Sequence, residues 1–467
     1  MRSRAAVVAE WLLICFAIVY AGADGGGDPP VVVAQSDPRR ASLFGNLASL
    51  LAPQRSSPQS AVENTARPGF VRVSADGLSF SLDCDAFYVA GWNSYTLLEA
   101  AAELPSGTFG IDYTGRGRAL VTSVLNDAQS RGLNTVRVWA FTVLQSRPIQ
   151  LAPGVFDQQL LQGLDFIMDA ARTRGIRVVL VLTDWWTSGG VQQFLGWSRT
   201  TWPGSQRETF FTDRDCQSMY QATARAFIER VNTVNGVMYR DDPTLLSWEL
   251  INEPRCQGCS ASMQRWVATM ARYVAGLDPG HLRSVGEEGF WAGGLLQTPG
   301  DRNAQPGVFA TTTGQDFQRD HSAPDITHAT IHLWPEDWSP FAPLGSVSLN
   351  PVAFASSFVT QHADDCRALR KPVLVSEDGS SAGTVNALTG FTRSAFYAAV
   401  HRSIEAGIAA GLPIAGDSFW LWYPAATRAQ TLSDSMAVYD DEPVMQQIVA
   451  HAFALRSLAD QRKGTMC

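Results

Sequence analysis

The chain has 467 residues, of which 45% are hydrophobic and 17% charged, and its net charge is −8. This composition is ordinary for a globular protein with a sizeable core. The sequence has no extended lysine- and arginine-rich run, which excludes nucleic acid as a predicted partner. The acidic balance also disfavours uronate-rich or sulfated polymers, because like charges repel.

The first 66 residues are predicted to precede the folded domain. A start with two arginines, an apolar stretch from Trp11 to Tyr20 and the small residues Ala21-Gly22-Ala23 are typical of a secretory signal, so residues 1–23 are predicted as a signal peptide. The apolar stretch is shorter than the roughly 20 residues of a membrane span. We therefore expect no stable membrane association, although an uncleaved anchor stays open. The Gly-, Pro- and Ser-rich residues 24–66 are predicted as a disordered linker, and 67–467 as the folded domain.

Six cysteines follow the signal segment, and an even number in an exported protein predicts disulfides without fixing their pairing. Cys256 and Cys259 form a CxxC motif. No second CxxC or paired histidine follows, so a local disulfide is favoured over zinc. The seven histidines form neither HxH nor HExxH, so we predict no metal and no cofactor. We predict that the protein is secreted and extracellular, and that it is a monomer.

From Phe70 onward, short apolar runs alternate with longer amphipathic stretches. Eight runs are predicted as strands: Phe87–Trp92, Thr135–Trp139, Arg177–Thr183, Leu245–Ile251, Arg283–Glu287, Ile326–Leu333, Pro372–Ser376 and Pro413–Leu421. The predicted helices between them include Gln158–Arg174, Gln217–Val234, Ser262–Ala275, Phe354–Leu369 and Thr392–Ala406. Near-continuous apolar strands separated by helices indicate a parallel sheet covered on both faces. Eight such units predict an α/β fold, a (β/α)8 TIM barrel over residues 67–467.

Polar and aromatic side chains mark the carboxyl ends of these strands: Trp92-Asn93, Arg137, Asp184-Trp185, Asn252-Glu253, Glu287-Glu288, His332, Glu377 and Trp420. In a barrel of this kind those ends meet on one face, which is where such proteins carry their chemistry. The sequence therefore predicts one site that is assembled from all parts of the chain.

Two carboxylates stand out in that set. Glu253 ends the buried run from Leu245 in an Asn-Glu-Pro sequence, and Glu377 ends the short run that begins at Pro372. On strands four and seven they can face each other across the barrel mouth, and glycoside hydrolysis uses such a carboxyl pair. A separation of about 5–5.5 Å would mean a retaining enzyme and about 6.5–9.5 Å an inverting one, so the sequence leaves both open. Asn-Glu-Pro alone could also be a glutamate that only caps the next helix.

The chain resembles glycoside hydrolase family 5, and within it the plant and fungal endo-β-1,4-mannanases. The matching segments cover nearly all of residues 70–460 and are Phe87 to Asn93, Asn134 to Phe141, Trp248 to Cys256, Val285 to Phe290, His332 to Trp338 and Phe419-Trp420. The resemblance implies a retaining enzyme that hydrolyses internal β-1,4 bonds of mannan, glucomannan or galactomannan. Its partner would be a neutral polysaccharide.

The resemblance also implies roles for individual residues. Glu253 would be the acid/base and Glu377 the nucleophile. Asn252 would hydrogen-bond the sugar 2-hydroxyl, and Arg137 would pair with the nucleophile to keep it ionised. The remaining implied substrate contacts are His332, Trp139 and Trp420, with Trp420 as the stacking floor. A short Cys256–Cys259 disulfide is also implied by the fungal members.

The chain departs from the family pattern at several positions. Trp334 stands where tyrosine is usual, and its indole N–H can donate a hydrogen bond to the nucleophile but cannot accept one. Asp378 follows Glu377 where phenylalanine is usual, and we expect it to point away from the cleft. Glu287 and Glu288 are additional carboxylates that could contact substrate or the residues that hold it.

Three alternative functions stay open at this point. The first is another family 5 activity, such as a β-1,4-glucanase, and the second is a transglycosylase that uses the same two glutamates. The third is a non-catalytic polysaccharide-binding barrel. The presence of Glu253, Glu377, Asn252 and Arg137 together disfavours the third, because a binding protein has no need of both an acid and a nucleophile.

Overall fold

The computed structural model describes residues 69–186, 190–202, 205–292, 302, 308–338, 351–382 and 392–466. The predicted signal peptide at 1–23 and linker at 24–66 lie outside these residues. Eight parallel strands form the central sheet: β1 (Val89–Asn93), β2 (Thr135–Trp139), β3 (Arg177–Val181), β4 (Leu245–Glu249), β5 (Leu282–Ser284), β6 (Ala329–Leu333), β7 (Val373–Asp378) and β8 (Ile414–Phe419). All eight predicted strands are present.

The strands follow the order β5-β4-β3-β2-β1-β8-β7-β6, and every neighbouring pair is parallel. Two backbone hydrogen bonds bridge the remaining gap, each between a residue of one of the strands β5 and β6 and a residue that flanks the other. The Thr327 backbone N–H donates to the Arg283 carbonyl at 2.9 Å, and the His332 N–H donates to the Glu288 carbonyl at 3.2 Å. The sheet is therefore nearly closed into a barrel.

A helix follows each strand: α1 (Gly117–Ser130), α2 (Gln158–Arg172), α3 (Arg214–Ile228), α4 (Ser260–Leu277), α5 (Phe317–His321), α6 (Pro351–Leu369), α7 (Arg393–Ala409) and α8 (Pro443–Asp460). Several begin at a capping side chain that accepts backbone N–H groups of the first turn. Asp157 accepts from Gln159 and Leu160 at the start of α2, and Asp213 accepts from Cys216 at the start of α3. Eight strands that alternate with eight helices confirm the predicted (β/α)8 TIM barrel.

A small antiparallel sheet of Val71–Val73, Phe80–Leu82 and Asp85–Phe87 precedes β1. Val71 and Phe80 pack in one cluster with residues near the starts of the barrel strands, among them Val89 and Leu374. This sheet therefore covers the amino-terminal end of the barrel and leaves the opposite end for the site. The other pairs are Gln150–Ala152 with Val155–Phe156 and Trp422–Tyr423 with Val438–Tyr439.

The loops also hold short helices. These are Leu97–Ala101, Val191–Trp197, Val308–Thr313, Pro335–Trp338 and Arg428–Thr431, with 3-10 turns at Thr108–Gly110, Arg207–Phe211, Tyr239–Asp241 and Ala425–Thr427. Within the part of the chain that the structure describes, no helix is both long enough and apolar enough to cross a bilayer.

The cysteines only partly follow the expectation of general disulfide pairing. Cys256 and Cys259 form the predicted local disulfide, and Cys84 is also disulfide-bonded. Cys216 and Cys366 are free thiols, so the expectation is wrong for these two. Both are completely buried on helices that pack on the core, where a thiol behaves as a small apolar side chain.

A buried polar cluster occupies the outer face of the barrel beside α7 and α8. Asp417 accepts from His451 Nε2 at 3.2 Å, and the other nitrogen of His451 lies 2.6 Å from Glu405. Asp378 is fully buried with Asp417 and His451 as its charged neighbours, which agrees with the expectation that it points away from the cleft. The rings of His401 and His451 lie parallel at 4.1 Å. Because their lone pairs lie in the ring planes, the two Nε2 atoms do not converge on one metal ion.

Candidate active site

Arg137 is the centre of the site and is fully buried at the middle of β2. Its Nη1 donates to Glu377 Oε1 at 2.5 Å, and its Nη2 and Nε donate to Glu249 Oε1 at 2.5 and 3.1 Å. Its guanidinium also donates to the side-chain oxygens of Asn93 at 2.9 Å and Asn252 at 2.7 Å. One cation therefore orients two carboxylates and two amides, which come from β1, β4, β7 and the segment just after β4.

The two amides are fixed from both ends. Asn252 donates through Nδ2 to Asp184 Oδ1 at 3.1 Å, and the two residues form a parallel bridge that continues β3 and β4 beyond their regular ends. Asn93 donates to the carbonyls of Ser376 at 2.9 Å and Ser418 at 2.8 Å. Because Arg137 donates a hydrogen bond to each amide oxygen, these hydrogen bonds determine the orientation of both side-chain amides.

Glu253 follows β4 in a left-handed backbone conformation, with φ +48°, that turns its side chain into the cleft. Trp186 Nε1 donates to Glu253 Oε2 at 2.6 Å, and His332 Nδ1 lies 2.8 Å from Oε1. The Glu253 side chain keeps 12% of its surface exposed, so an incoming molecule can reach this carboxyl.

Glu377 lies at the end of β7 and is almost completely buried. Burial raises the pKa of Glu377 above its ordinary value, while charge pairing with Arg137 acts in the opposite direction. Trp334 Nε1 donates to Glu377 Oε2 at 3.2 Å. The tryptophan that replaces the usual tyrosine of the resembled family therefore still supplies a hydrogen-bond donor to this carboxylate.

His332 stands between the two glutamates. Its Nδ1 is 2.8 Å from Glu253 and 3.4 Å from Glu377 Oε2. Burial and the Arg137 charge lower the pKa of His332 to about 3, so the ring is neutral. Oxygens of the two glutamates lie within 4.8 Å of each other. This spacing places two carboxyls with different surroundings on either side of one small gap.

Aromatic side chains surround the carboxyl pair. Trp139, Trp334 and Trp420 line a cleft of about 330 Å³, which is within the range of about 300–1,000 Å³ for ligand pockets. Trp420 stacks on Tyr95 and meets the Trp334 ring edge to face, with centroids 5.7 Å apart in both pairs. The peptide bond after Trp420 is cis. Flat aromatic faces of this kind suit the apolar faces of sugar rings.

The eight residues predicted for the site come together in the structure. Glu253, Glu377, Asn252, Trp139, Trp334 and Trp420 line the cleft, and Arg137 and His332 lie buried directly beneath it. The two additional carboxylates separate. Glu288 lines the cleft, whereas Glu287 is buried outside it beside His321.

Sequence reasoning missed several residues of the cleft. Trp186 lies on a loop, and Phe309 and Asp337 lie on the short helices Val308–Thr313 and Pro335–Trp338, where no long periodic pattern marks them. Arg255 directly follows the Asn-Glu-Pro segment; its guanidinium lies 4.5 Å from the Trp186 ring and 4.7 Å from the Phe309 ring and pairs with Glu288. Burial raises the pKa of Asp337 to about 6, so this carboxyl adds a further titrating group to the cleft.

Glu249 was missed for a different reason. It is the last residue of β4, four residues before Glu253, and the rest of that strand has the sequence pattern of a buried core strand. A charged residue in such a strand needs a buried partner. That requirement was a usable signal, and the partner is Arg137.

Comparison with known proteins gives a consistent result. The model of the GH family 5 beta-mannosidase-like proteins matches residues 69–453. The chain is 32% identical over 376 residues to mannan endo-1,4-beta-mannosidase 4 of Solanum lycopersicum, covering 79% of this chain and 85% of the relative. It is 35% identical over 358 residues to mannan endo-1,4-beta-mannosidase 1 of Oryza sativa subsp. japonica, covering 75% and 78%.

A solved structure extends the comparison to the fold. The endo-1,4-beta-mannanase from Rhizomucor miehei superposes with a TM-score of 0.66 at 25% sequence identity. The match covers 83% of this chain and 99% of that chain.

Proposed function

The chain belongs to glycoside hydrolase family 5, in its β-mannosidase-like group, and on this premise we propose that it is a retaining endo-β-1,4-mannanase. It hydrolyses internal β-1,4-mannosidic bonds of mannan, glucomannan or galactomannan. The observation that carries the proposal is that one carboxyl oxygen of Glu253 and one of Glu377 lie within 4.8 Å of each other at the carboxyl ends of β4 and β7. That spacing suits double displacement, whereas direct attack by water needs about 6.5–9.5 Å between the carboxyl groups.

In the first step Glu377 attacks the anomeric carbon of the sugar that is being cleaved. The bond from that carbon to the glycosidic oxygen breaks, and Glu253 gives its proton to the departing oxygen. The part of the polysaccharide that carries the new free 4-hydroxyl leaves, and the other part stays bound to Glu377 as an ester. Arg137 supports this step because its charge favours the ionised form of Glu377.

In the second step Glu253, now a carboxylate, takes a proton from water, and the resulting hydroxide oxygen attacks the same carbon. The ester bond to Glu377 breaks and both glutamates return to their starting states. Trp186 and His332 hold the two oxygens of Glu253, so the same carboxyl is oriented for both proton transfers.

Substrate binding falls to the aromatic side chains and the amide of Asn252. Trp420 and Trp139 present faces to the sugar rings, and Asn252 is held next to Glu253 where a 2-hydroxyl would lie. The basic start and apolar stretch within residues 1–23 support export, so we propose that the enzyme acts outside the cell.

Proton NMR of fresh reaction mixtures tests the stereochemistry. If mannan oligosaccharides are cleaved with retention, the β-anomer of the new reducing end appears first and the α-anomer follows by mutarotation. Early appearance of the α-anomer would contradict the retaining mechanism. The relative activity on mannan and cellulose tests the substrate class separately.

Azide rescue tests the two assignments individually. With a dinitrophenyl β-mannobioside, Glu253→Ala should form its glycosyl-enzyme normally and give a β-glycosyl azide when azide is added. Glu377→Ala should give the α-glycosyl azide, because azide then replaces the nucleophile itself. The same azide anomer from both variants would contradict the division of roles.

A further inference from the structure

Glu249 is the fully buried second carboxylate that shares Arg137 with Glu377. Its Oε1 accepts from both Nη2 and Nε of the guanidinium, while Glu377 takes Nη1. The opposite oxygen, Oε2, accepts from Ser284 Oγ at 3.4 Å. Glu249 therefore binds one edge of the guanidinium and leaves the other edge for Glu377.

The local backbone leaves room for this carboxylate. Gly286, just after β5, has φ +99°, and a β-carbon there would lie 2.6 Å from Glu249 Oε1 and 2.8 Å from its Cδ. It would also lie 2.4 Å from the Ile251 carbonyl. Any side chain at position 286 would therefore collide with the Glu249 carboxylate.

One positive charge faces two negative charges at this point. Within the barrel a carboxylate is stabilised by an adjacent cation and destabilised by an adjacent anion. Arg137 favours the ionised form of Glu377, and Glu249 opposes it both by its own charge and by occupying part of the guanidinium. The basicity of Glu377 therefore depends on the pairing of Arg137 with Glu249 as well as with Glu377.

We propose that Glu249 is a positioning residue that acts through Arg137: it fixes the guanidinium and takes part of its charge, so that Glu377 remains basic enough to attack the anomeric carbon. If Glu377 alone paired with Arg137, its carboxyl group would ionise more readily. The resulting carboxylate would, however, donate its electron pair less readily. The inference rests on the proposed function, since it assigns a task to Glu249 only if Glu377 is the nucleophile.

The test is the pH dependence of kcat/KM for the variant Glu249→Gln, with a 2,4-dinitrophenyl β-mannobioside as substrate. This leaving group departs without protonation, so the acidic side of the profile reports ionisation of Glu377 in the free enzyme. The groups that face Glu377 are Arg137, Glu253 and His332, and the substitution leaves all three in place. The side-chain amide of glutamine matches the size of the carboxylate, so the substitution chiefly removes the charge.

We expect the acidic limb of the kcat/KM profile of Glu249→Gln to shift to lower pH by about one unit, because Arg137 then pairs with Glu377 alone. We also expect the plateau of kcat/KM to fall. An acidic limb that stays in place, or that moves to higher pH, would overturn the proposal. A merely structural role would lower the melting temperature and the active fraction and leave the profile unchanged.

Two further variants keep the test decisive. Glu249→Asp retains the charge on a shorter side chain and should shift the limb in the same direction by less, which can be measured if the glutamine variant does not fold. Ser284→Ala removes only the long contact to Oε2 and should leave the limb in place. If the unsubstituted enzyme fails to cleave the mannobioside, the proposed function fails. If it cleaves normally and the Glu249 variants keep its profile, only this inference fails.

Discussion

Substitution of Arg137 by methionine should destabilise the folded protein in a pH-dependent way. Methionine fills most of the buried volume but removes the cation, and Glu249 and Glu377 then face each other without compensation. The amide oxygens of Asn93 and Asn252 also lose their donor. We expect a folded but inactive protein at mildly acidic pH.

The magnitude follows from the burial of the ion pairs. Removing one partner of a buried pair costs about 3–5 kcal/mol, and here one cation compensates two carboxylates, so we expect the upper part of that range at pH 8. At lower pH one buried carboxyl takes up a proton in the folded variant before it does so in the unfolded chain. The folded state then binds more protons, so the loss shrinks by up to about 1.4 kcal/mol per pH unit as pH falls.

Denaturant unfolding of both proteins at pH 5, 6.5 and 8 measures this difference. The matched control is Arg172→Met, which removes the exposed ion pair with Asp169 and should cost at most about 1 kcal/mol at every pH. A loss below about 1 kcal/mol for Arg137→Met, or a loss that does not depend on pH, would refute the view that this arginine holds two buried negative charges.

Three other changes have defined outcomes. Trp186→Phe keeps a ring but loses the N–H bond to Glu253, so turnover on mannan should fall roughly tenfold, the equivalent of a hydrogen bond to a charged group, with a smaller loss on a dinitrophenyl mannobioside. Gly379→Ala places a β-carbon 2.4 Å from the Trp334 ring, so it should lower kcat by displacing that ring. Burial lowers the pKa of His451, but Asp417 and Glu405 together raise it to about 9. The free energy of unfolding should therefore fall by about 3 kcal/mol as pH rises from about 6.5 through 9.

Each of these has its own control. Trp202→Phe alters an exposed tryptophan that does not line the cleft and should leave turnover unchanged. Gly196→Ala adds a β-carbon in open space, so an equal loss of kcat there would contradict the steric argument for Gly379. His451→Gln should remove the fall in stability above pH 7, and an unchanged fall would assign it to other groups.

The barrel could be predicted because its signals are local and repeated. The strand Thr135–Trp139 was predicted to the residue, because a buried parallel strand is a near-continuous apolar run, interrupted here by Arg137. The fifth strand was predicted as Arg283–Glu287 but ends at Ser284, because the backbone at Gly286 leaves the extended region. Helix α3 begins three residues earlier than predicted, at the Asp213 cap.

The site was only partly predictable. Glu253 and Glu377 could be identified because each ends an apolar strand, and a barrel brings such ends together. Trp186 and Arg255 could not, because their positions depend on loop conformations that no periodic pattern encodes. The role of Glu249 depends on a hydrogen bond to a residue 112 positions away, and such pairings are visible only in the folded chain.

The central claim is tested most directly by reducing-end release from β-mannan, glucomannan and cellulose, measured side by side with the unsubstituted protein and with Glu377→Gln. The proposal predicts rapid release from mannan with an early fall in viscosity, little release from cellulose, and loss of both signals in the variant. Preference for cellulose would contradict the assignment of mannan as substrate. No release from any polymer, or full activity in the variant, would contradict the assignment of an active hydrolase with Glu377 as its nucleophile.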